Sequence, residues 1–188
     1  MCEIAKLPGI GRRSSERLAF HLLQQPRDQA MQLATAIRDV KEKLVTCSTC
    51  FNVDKVDPCS ICADTSRDHT KVCVVETVRD LLALEETGQY SGVYHVLQGH
   101  IAPLEKMGPE DLTIDTLRER VSKDKPSEVI LATNPDFEGD TTASHIAKLL
   151  AAEKVPVTQL GRGMPSGSRV EYMNKSILSE AIRGRKKV

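Results

Sequence analysis

Two Cys-x2-Cys pairs, Cys47 with Cys50 and Cys59 with Cys62, lie eight residues apart and constrain this chain more than any other feature. Two intervening residues let the backbone turn so that both thiolates of a pair reach one ion, and two such knuckles complete a tetrahedron. The stretch 46–70 around them is polar and rich in turn residues. It holds too few large apolar side chains to fold by burial and needs a cross-link. Thiolates are soft donors that select zinc among common cellular metals, or iron where an iron-sulfur cluster is assembled. A site closed by four thiolates has no open position, so its ion is structural. Two other readings stay open at this level: four thiols without a metal, and a redox dithiol, for which one pair would suffice. Cys73 lies in a short apolar run and reads as a core residue, while Cys2 is terminal and takes no role.

Compartment bears on the cysteines. No stretch approaches the roughly 18 apolar residues of a membrane span, and Met1-Cys2-Glu3-Ile4-Ala5-Lys6 is no signal peptide, so a cytoplasmic protein is expected. A reducing compartment favours metal binding over disulfides. Formal net charge is zero over 188 residues, so no global field draws the chain to a polyanion. Its local distribution is uneven. Residues 1–45 carry eight Lys or Arg against five Asp or Glu, residues 162–188 carry seven against two, and acid concentrates between them. Such a chain can offer basic surfaces to a phosphate backbone while another face stays acidic; an ordinary solvated surface with a basic tail leaves the same pattern.

Periodicity divides the rest. Residues 1–45 predict helices: a short turn as far as Leu7, a break at Pro8-Gly9-Ile10-Gly11, a helix over 12–23 ended by Pro26, and another from Asp28. In the last of these, Ala30, Leu33, Ile37, Val40 and Leu44 recur at three- and four-residue spacing. Two such helices bury little alone and are expected to pack on each other or on a partner chain. From Lys71 the pattern alternates, with strands predicted at 72–75, 93–97, 129–132 and 155–160 and helices at 77–87, 112–121 and 140–150. Continuously apolar short strands between amphipathic helices indicate an α/β fold with a parallel sheet covered on both sides. Beyond it, 169–172 predicts a further strand and a short helix starts near Ile177, before a basic end with Arg185, Lys186 and Lys187.

Two further motifs carry chemistry. Leu7-Pro8-Gly9-Ile10-Gly11, followed by Arg12, Arg13 and Arg17, has the form of a helix-hairpin-helix turn. Its glycines permit a tight bend, Ile10 can fill the gap between helices, and the N–H groups of Gly9 and Gly11 can meet a phosphate oxygen. Arg12, Arg13 and Arg17 would add contacts that ignore base sequence and weaken with salt. A plain helix connector with solvated arginines is the alternative. Second, Glu76 follows the first strand and Asn134-Pro135-Asp136-Phe137-Glu138-Gly139-Asp140 follows the third. Both lie at the carboxyl edge of a parallel sheet, so Glu76, Asp136 and Asp140 are placed to converge on magnesium, with Glu138 joining them or capping the helix. Helix capping without a metal accounts for the acids equally well.

In order, the Leu-Pro-Gly-Ile-Gly turn with Arg17-Leu18-Ala19-Phe20-His21-Leu22-Leu23, the cysteines, Val74-Val75-Glu76, Gly99-His100-Ile101-Ala102-Pro103-Leu104, Ala132-Thr133-Asn134-Pro135 and Gly161-Arg162-Gly163-Met164-Pro165 resemble the RecR family of bacterial recombination mediators over nearly the whole chain. The resemblance implies a helix-hairpin-helix region over 1–45, a four-cysteine zinc finger over 46–70, a Toprim domain over 71–160 and a C-terminal assembly segment over 161–188. Toprim relatives among topoisomerases and primases hold magnesium with a glutamate after the first strand and an Asp-x-Asp after the third; here Asn134 stands for the first aspartate. The family also implies a non-enzymatic, nucleoid-associated protein. It forms dimers and ring-like tetramers that clamp single- or double-stranded DNA. With RecO, and in another branch RecF, it helps load RecA onto single-stranded DNA. On that reading Arg12, Arg13 and Arg17 face the DNA, and Glu76, Asp136, Glu138 and Asp140 form an acidic face for a partner protein or a weakly held magnesium. The competing expectation is a magnesium-dependent Toprim nuclease or primase-like enzyme. Only six residues precede Leu7, and Gly167-Ser168-Arg169-Val170 lacks the second glycine common before the Glu171-Tyr172 pair, so assembly is less closely specified than fold.

Overall fold

The computed structural model describes residues 3–185, so Cys2 and the basic-tail residues Lys186 and Lys187 lie outside the described residues. The chain divides into two units, one ending at Leu44 and the other beginning at Val45. In the first, a 3-10 turn, Ile4–Lys6, precedes the Pro8-Gly9 bend. Gly9 adopts φ 79°, a left-handed conformation that a side chain would disfavour, and Ile10 N donates back to the Leu7 carbonyl at 3.1 Å. Helix α1 spans Arg12–Gln24 and α2 spans Arg27–Lys43, close to the expected bounds. Pro26 caps α2, where its missing N–H leaves no bond unmade. The apolar stripes are not buried within this unit. Leu23, Leu33, Ile37 and Val40 remain exposed, while Ser15 is buried with its Oγ donating to the Arg12 carbonyl at 2.7 Å. Two helices around one turn have no third element to cover those stripes.

The second unit begins with the cysteine segment. A short antiparallel ribbon, β1 (Val45–Thr46) and β2 (Val53–Asp54), carries the first knuckle, and a single turn, α3 (Ser60–Ala63), carries the second. Four strands follow: β3 (Asp68–Val75), β4 (Gly92–Val96), β5 (Glu128–Ala132) and β6 (Val157–Gln159). They pair in the order β4-β3-β5-β6, all parallel, as their continuous apolar runs require. Between them lie α4 (Val78–Glu86), α5 (Ile114–Asp124) and α6 (Phe137–Leu150).

Alternation along β3 splits the core into two layers. Val72 and Val74 meet Leu117 and Val121 of α5 and Ile146 and Leu150 of α6. Cys73 and Val75 face the other way, with Tyr94 and Val96 of β4, and meet Leu81 of α4 together with Phe51 and Ile61 of the cysteine segment. Each fully buried Leu or Ile contributes about 1.5–3 kcal/mol. The cysteine segment thus closes one face of the sheet. It also covers the β4 edge: Val96 N donates to the Cys50 carbonyl and Gln98 Nε2 to the Phe51 carbonyl, each at 2.8 Å. The Phe51 ring stands edge-on to His95 at 5.3 Å, and Arg67 Nη1 donates to Glu85 at 3.0 Å and to the Gly92 carbonyl at 2.9 Å.

Two local expectations are corrected. The segment predicted as a strand at 169–172 is a 3-10 turn, Val170–Tyr172, whose Val170 and Tyr172 are exposed, because no strand lies beside it to complete a ladder. Helix α6 begins three residues before Asp140, since the Asp136 side chain accepts from Gly139 N at 2.7 Å and caps it. A final helix, α7 (Lys175–Arg183), is capped by Asn174. Among the described residues no helix is long and apolar enough to cross a membrane.

Candidate functional site

The two knuckles bring the ligand atoms of Cys47, Cys50, Cys59 and Cys62 within 4.8 Å of one another, with the first three buried. Bonds of about 2.3 Å to one zinc ion place sulfurs roughly 3.8 Å apart in a tetrahedron, so four thiols gathered this closely suit one such ion. Acid-base chemistry points the same way. Burial pushes the Cys47 thiol up, but N–H donors from Cys59, Cys50 and Thr49 outweigh it and bring the thiol down to about 7. Cys59 is pushed up to about 11, by burial first and then by the charge of its neighbours, and Cys50 is pushed up as well. Four thiolates in this space require a cation, which a divalent zinc supplies. The turns are fixed by carboxylates that motif spacing does not single out. Asp57 accepts from Ser48 N and Oγ at 2.8 and 2.9 Å, and Asp54 from Ser60 N and Oγ at 2.7 Å each.

At the carboxyl edge of the sheet, Glu76 is 1% exposed at the end of β3. Its Oε1 accepts from Asn134 N at 2.7 Å; its Oε2 accepts from Asn134 Nδ2 at 2.7 Å and from His100 Nδ1 at 3.2 Å. Asp136 is committed to the α6 cap. Asp140 turns to Arg162, whose guanidinium engages both its oxygens, holds its carboxyl below the usual range, and also reaches Glu180 at 3.4 Å. Glu138 is half-buried in the first turn of α6. Among the described residues, only the four cysteines gather three or more metal-ligating side chains. The expected convergence of Glu76, Asp136 and Asp140 on magnesium is therefore not formed, because a cap and a guanidinium take two of the three carboxylates. Asn134, His100 and Arg162 define this edge, and only Asn134 had a signal in the motif itself.

In the helical unit, Gly9, Gly11, Arg12, Arg13 and Arg17 are all exposed. Gly11 is the N-cap of α1 and leaves the first-turn N–H groups without intrahelical acceptors. Arg12, 93% exposed, makes a 3.5 Å pair with Glu16. An exposed pair of this kind contributes little and yields readily to a phosphate.

Comparison with known proteins assigns these parts. Residues 1–41 match the family model described as RecR, helix-hairpin-helix; 44–64 match the model of the RecR four-cysteine zinc finger domain; and 70–161 match Toprim domain. Relatives named Recombination protein RecR include that of Rhodopirellula baltica, 50% identical over 99% of this chain and 94% of its own length. That of Chlorobium chlorochromatii is 48% identical over 97% and 92%, and that of Koribacter versatilis 47% identical over 99% and 94%. With identity at this level across the helical unit, the zinc finger and the sheet together, the chain belongs to the RecR family of recombination proteins.

Proposed function

We propose that this protein is a DNA-binding recombination mediator without catalytic turnover, acting with RecO, and in one branch of the family RecF, as a clamp that helps load RecA onto single-stranded DNA. The observation that carries this reading is the exposed start of α1, where Gly9 and Gly11 present backbone N–H groups beside Arg12, Arg13 and Arg17. Free N–H groups at a helix start, with guanidinium groups around them, bind phosphate without regard to base identity. Residues 1–45 are assigned to DNA, 46–70 to the structural zinc, 71–160 to a partner-binding Toprim sheet and 161–188 to assembly. The uncovered apolar stripes of α1 and α2 support a dimer or ring tetramer, since surfaces of this kind occur where another chain docks.

The test is binding to labelled single- and double-stranded DNA at several salt concentrations. Arg12→Ala with Arg13→Ala removes two phosphate contacts, so the slope of log K against log salt should shrink by about 1.8 on duplex and about 1.4 on single strands. Unchanged slope and affinity, with the fold intact, would remove the helical unit from the DNA path. Cleavage of DNA with magnesium, lost on Glu76→Gln, would replace the mediator reading with a nuclease.

A further inference from the structure

Catalytic Toprim sheets keep two carboxylates facing each other at the ends of adjacent strands and neutralise them with a divalent cation. Here the same position is filled differently. Glu76 is buried and directly follows β3; Asn134 lies two residues past β5, the parallel neighbour of β3, and strand order reverses between these two strands. We propose that Asn134 substitutes for the cation: its main-chain N–H and side-chain amide satisfy the two oxygens of Glu76, so that this edge is closed to divalent ions and Asn134 is the residue that decides it.

Three observations carry this. Both oxygens of Glu76 accept from protein donors, two from Asn134 at 2.7 Å and one from His100 at 3.2 Å, and its own carbonyl accepts from Gly99 N at 2.9 Å. One carboxylate thereby ties the ends of β3 and β5 to the loop after β4. The space on one side of it is also taken. A Cβ on Gly139 would stand 2.9 Å from Glu76 Oε1 and 2.0 Å from the Asn134 carbonyl, so α6 closes the Oε1 side and leaves the Oε2 side, where exposed Asn134 and half-buried His100 sit, as the approach to this carboxylate. Magnesium needs oxygen ligands in near-octahedral geometry, and the Asn134 amide N–H on Oε2 offers a donor where such a ligand would be needed. Finally, two of the three remaining acids are engaged elsewhere: Asp136 caps α6, and Asp140 pairs with Arg162, which leaves Glu138 in the first turn of α6. An aspartate at 134 would reverse the balance. It would set a second carboxylate oxygen about 2.7 Å from buried Glu76, where both groups ionise only with a cation between them and otherwise share a proton.

The test uses Mn2+ as the probe on the full zinc-loaded chain, without chelator so that the finger keeps its metal. Bound Mn2+ is read by loss of its free electron paramagnetic resonance signal, and stability by thermal unfolding with and without the ion. Wild type should show no saturable Mn2+ site and no change in unfolding midpoint. Asn134→Asp should bind one equivalent at least tenfold more tightly than wild type, with a midpoint that Mn2+ raises. An Asn134→Asp protein that folds only with Mn2+ present counts equally in favour. One equivalent bound by wild type and lost in Glu76→Gln overturns the proposal, as does an Asn134→Asp protein that gains no Mn2+ site or fails to fold even with the ion. DNA binding through Arg12 and Arg13 enters neither outcome, so failure here leaves the mediator reading to its own test.

Discussion

Stripping zinc from the finger should open a defined part of the sheet and leave the rest closed. Val96 and Leu97 are consecutive, yet their N–H groups point to opposite neighbours: Val96 N to the Cys50 carbonyl at 2.8 Å, Leu97 N to the Val75 carbonyl at 2.8 Å. The first bond depends on the finger and the second on the β3 side of the sheet. Structural zinc contributes about 10 kcal/mol or more to a small cysteine site. Burial of Phe51 and Ile61 on the sheet adds only about 2 kcal/mol each, so the metal dominates the folding of 45–64. Losing even about 4 kcal/mol of that protection makes amide exchange roughly a thousandfold faster. Hydrogen exchange on zinc-loaded and chelator-treated protein should therefore show the Val96 amide joining residues 45–64 in fast exchange while Leu97 stays protected. A Val96 amide still protected when 45–64 exchange freely would refute the assignment of the β4 edge to the finger. Collapse of Leu97 together with Val96 would refute the independence of the core layer that Leu97 shares with Val72 and Val74.

Other perturbations probe the same unit. His95 is fully buried with Nε2 3.1 Å from the Thr113 carbonyl, and burial, then the charge of Arg120, lowers its pKa from 6.5 to about 4. The unfolded imidazole takes a proton near 6.5 and the folded one does not, so stability falls as pH drops from 6.5 toward 4; between pH 7 and 5.5, with zinc still bound, the loss should be about 1 kcal/mol in urea titrations and flatten in His95→Gln. Gly139→Ala would set its Cβ 2.0 Å from the Asn134 carbonyl and should cost about 2 kcal/mol or more, read by denaturant midpoint, with a neutral result meaning that α6 shifts freely. Arg162→Ala breaks a pair whose side chains are 23% and 51% exposed, so global stability should move by no more than about 1 kcal/mol. Faster amide exchange confined to α7 is the expected signature, and an unchanged α7 would show that the guanidinium does not hold it.

Much of this architecture is legible in residue order. The cysteine spacing determines one tetrahedral site because chain geometry allows two knuckles of that length no simpler joint use, and the apolar runs determine a parallel sheet because only strands covered on both faces bury them. The turn at Gly9 and the spans of α1 and α2 follow from local backbone preference alone. Side-chain partnership across the chain is another matter. Acids at 76, 136 and 140 look alike in sequence, yet one is closed by an amide 58 residues away, one caps its own helix and one faces an arginine 22 residues on. Motif spacing places a carboxylate at an edge; which donor reaches it depends on how β3, β5 and α6 pack. The strand expected at 169–172 failed for a related reason, since a strand exists only where a neighbour supplies its hydrogen bonds. The sequence by itself determined the elements and the metal site, whose causes are local, while the tertiary structure alone decided that the finger closes a face of the sheet and that the amide of Asn134 meets the buried Glu76, because those depend on distant groups meeting in space.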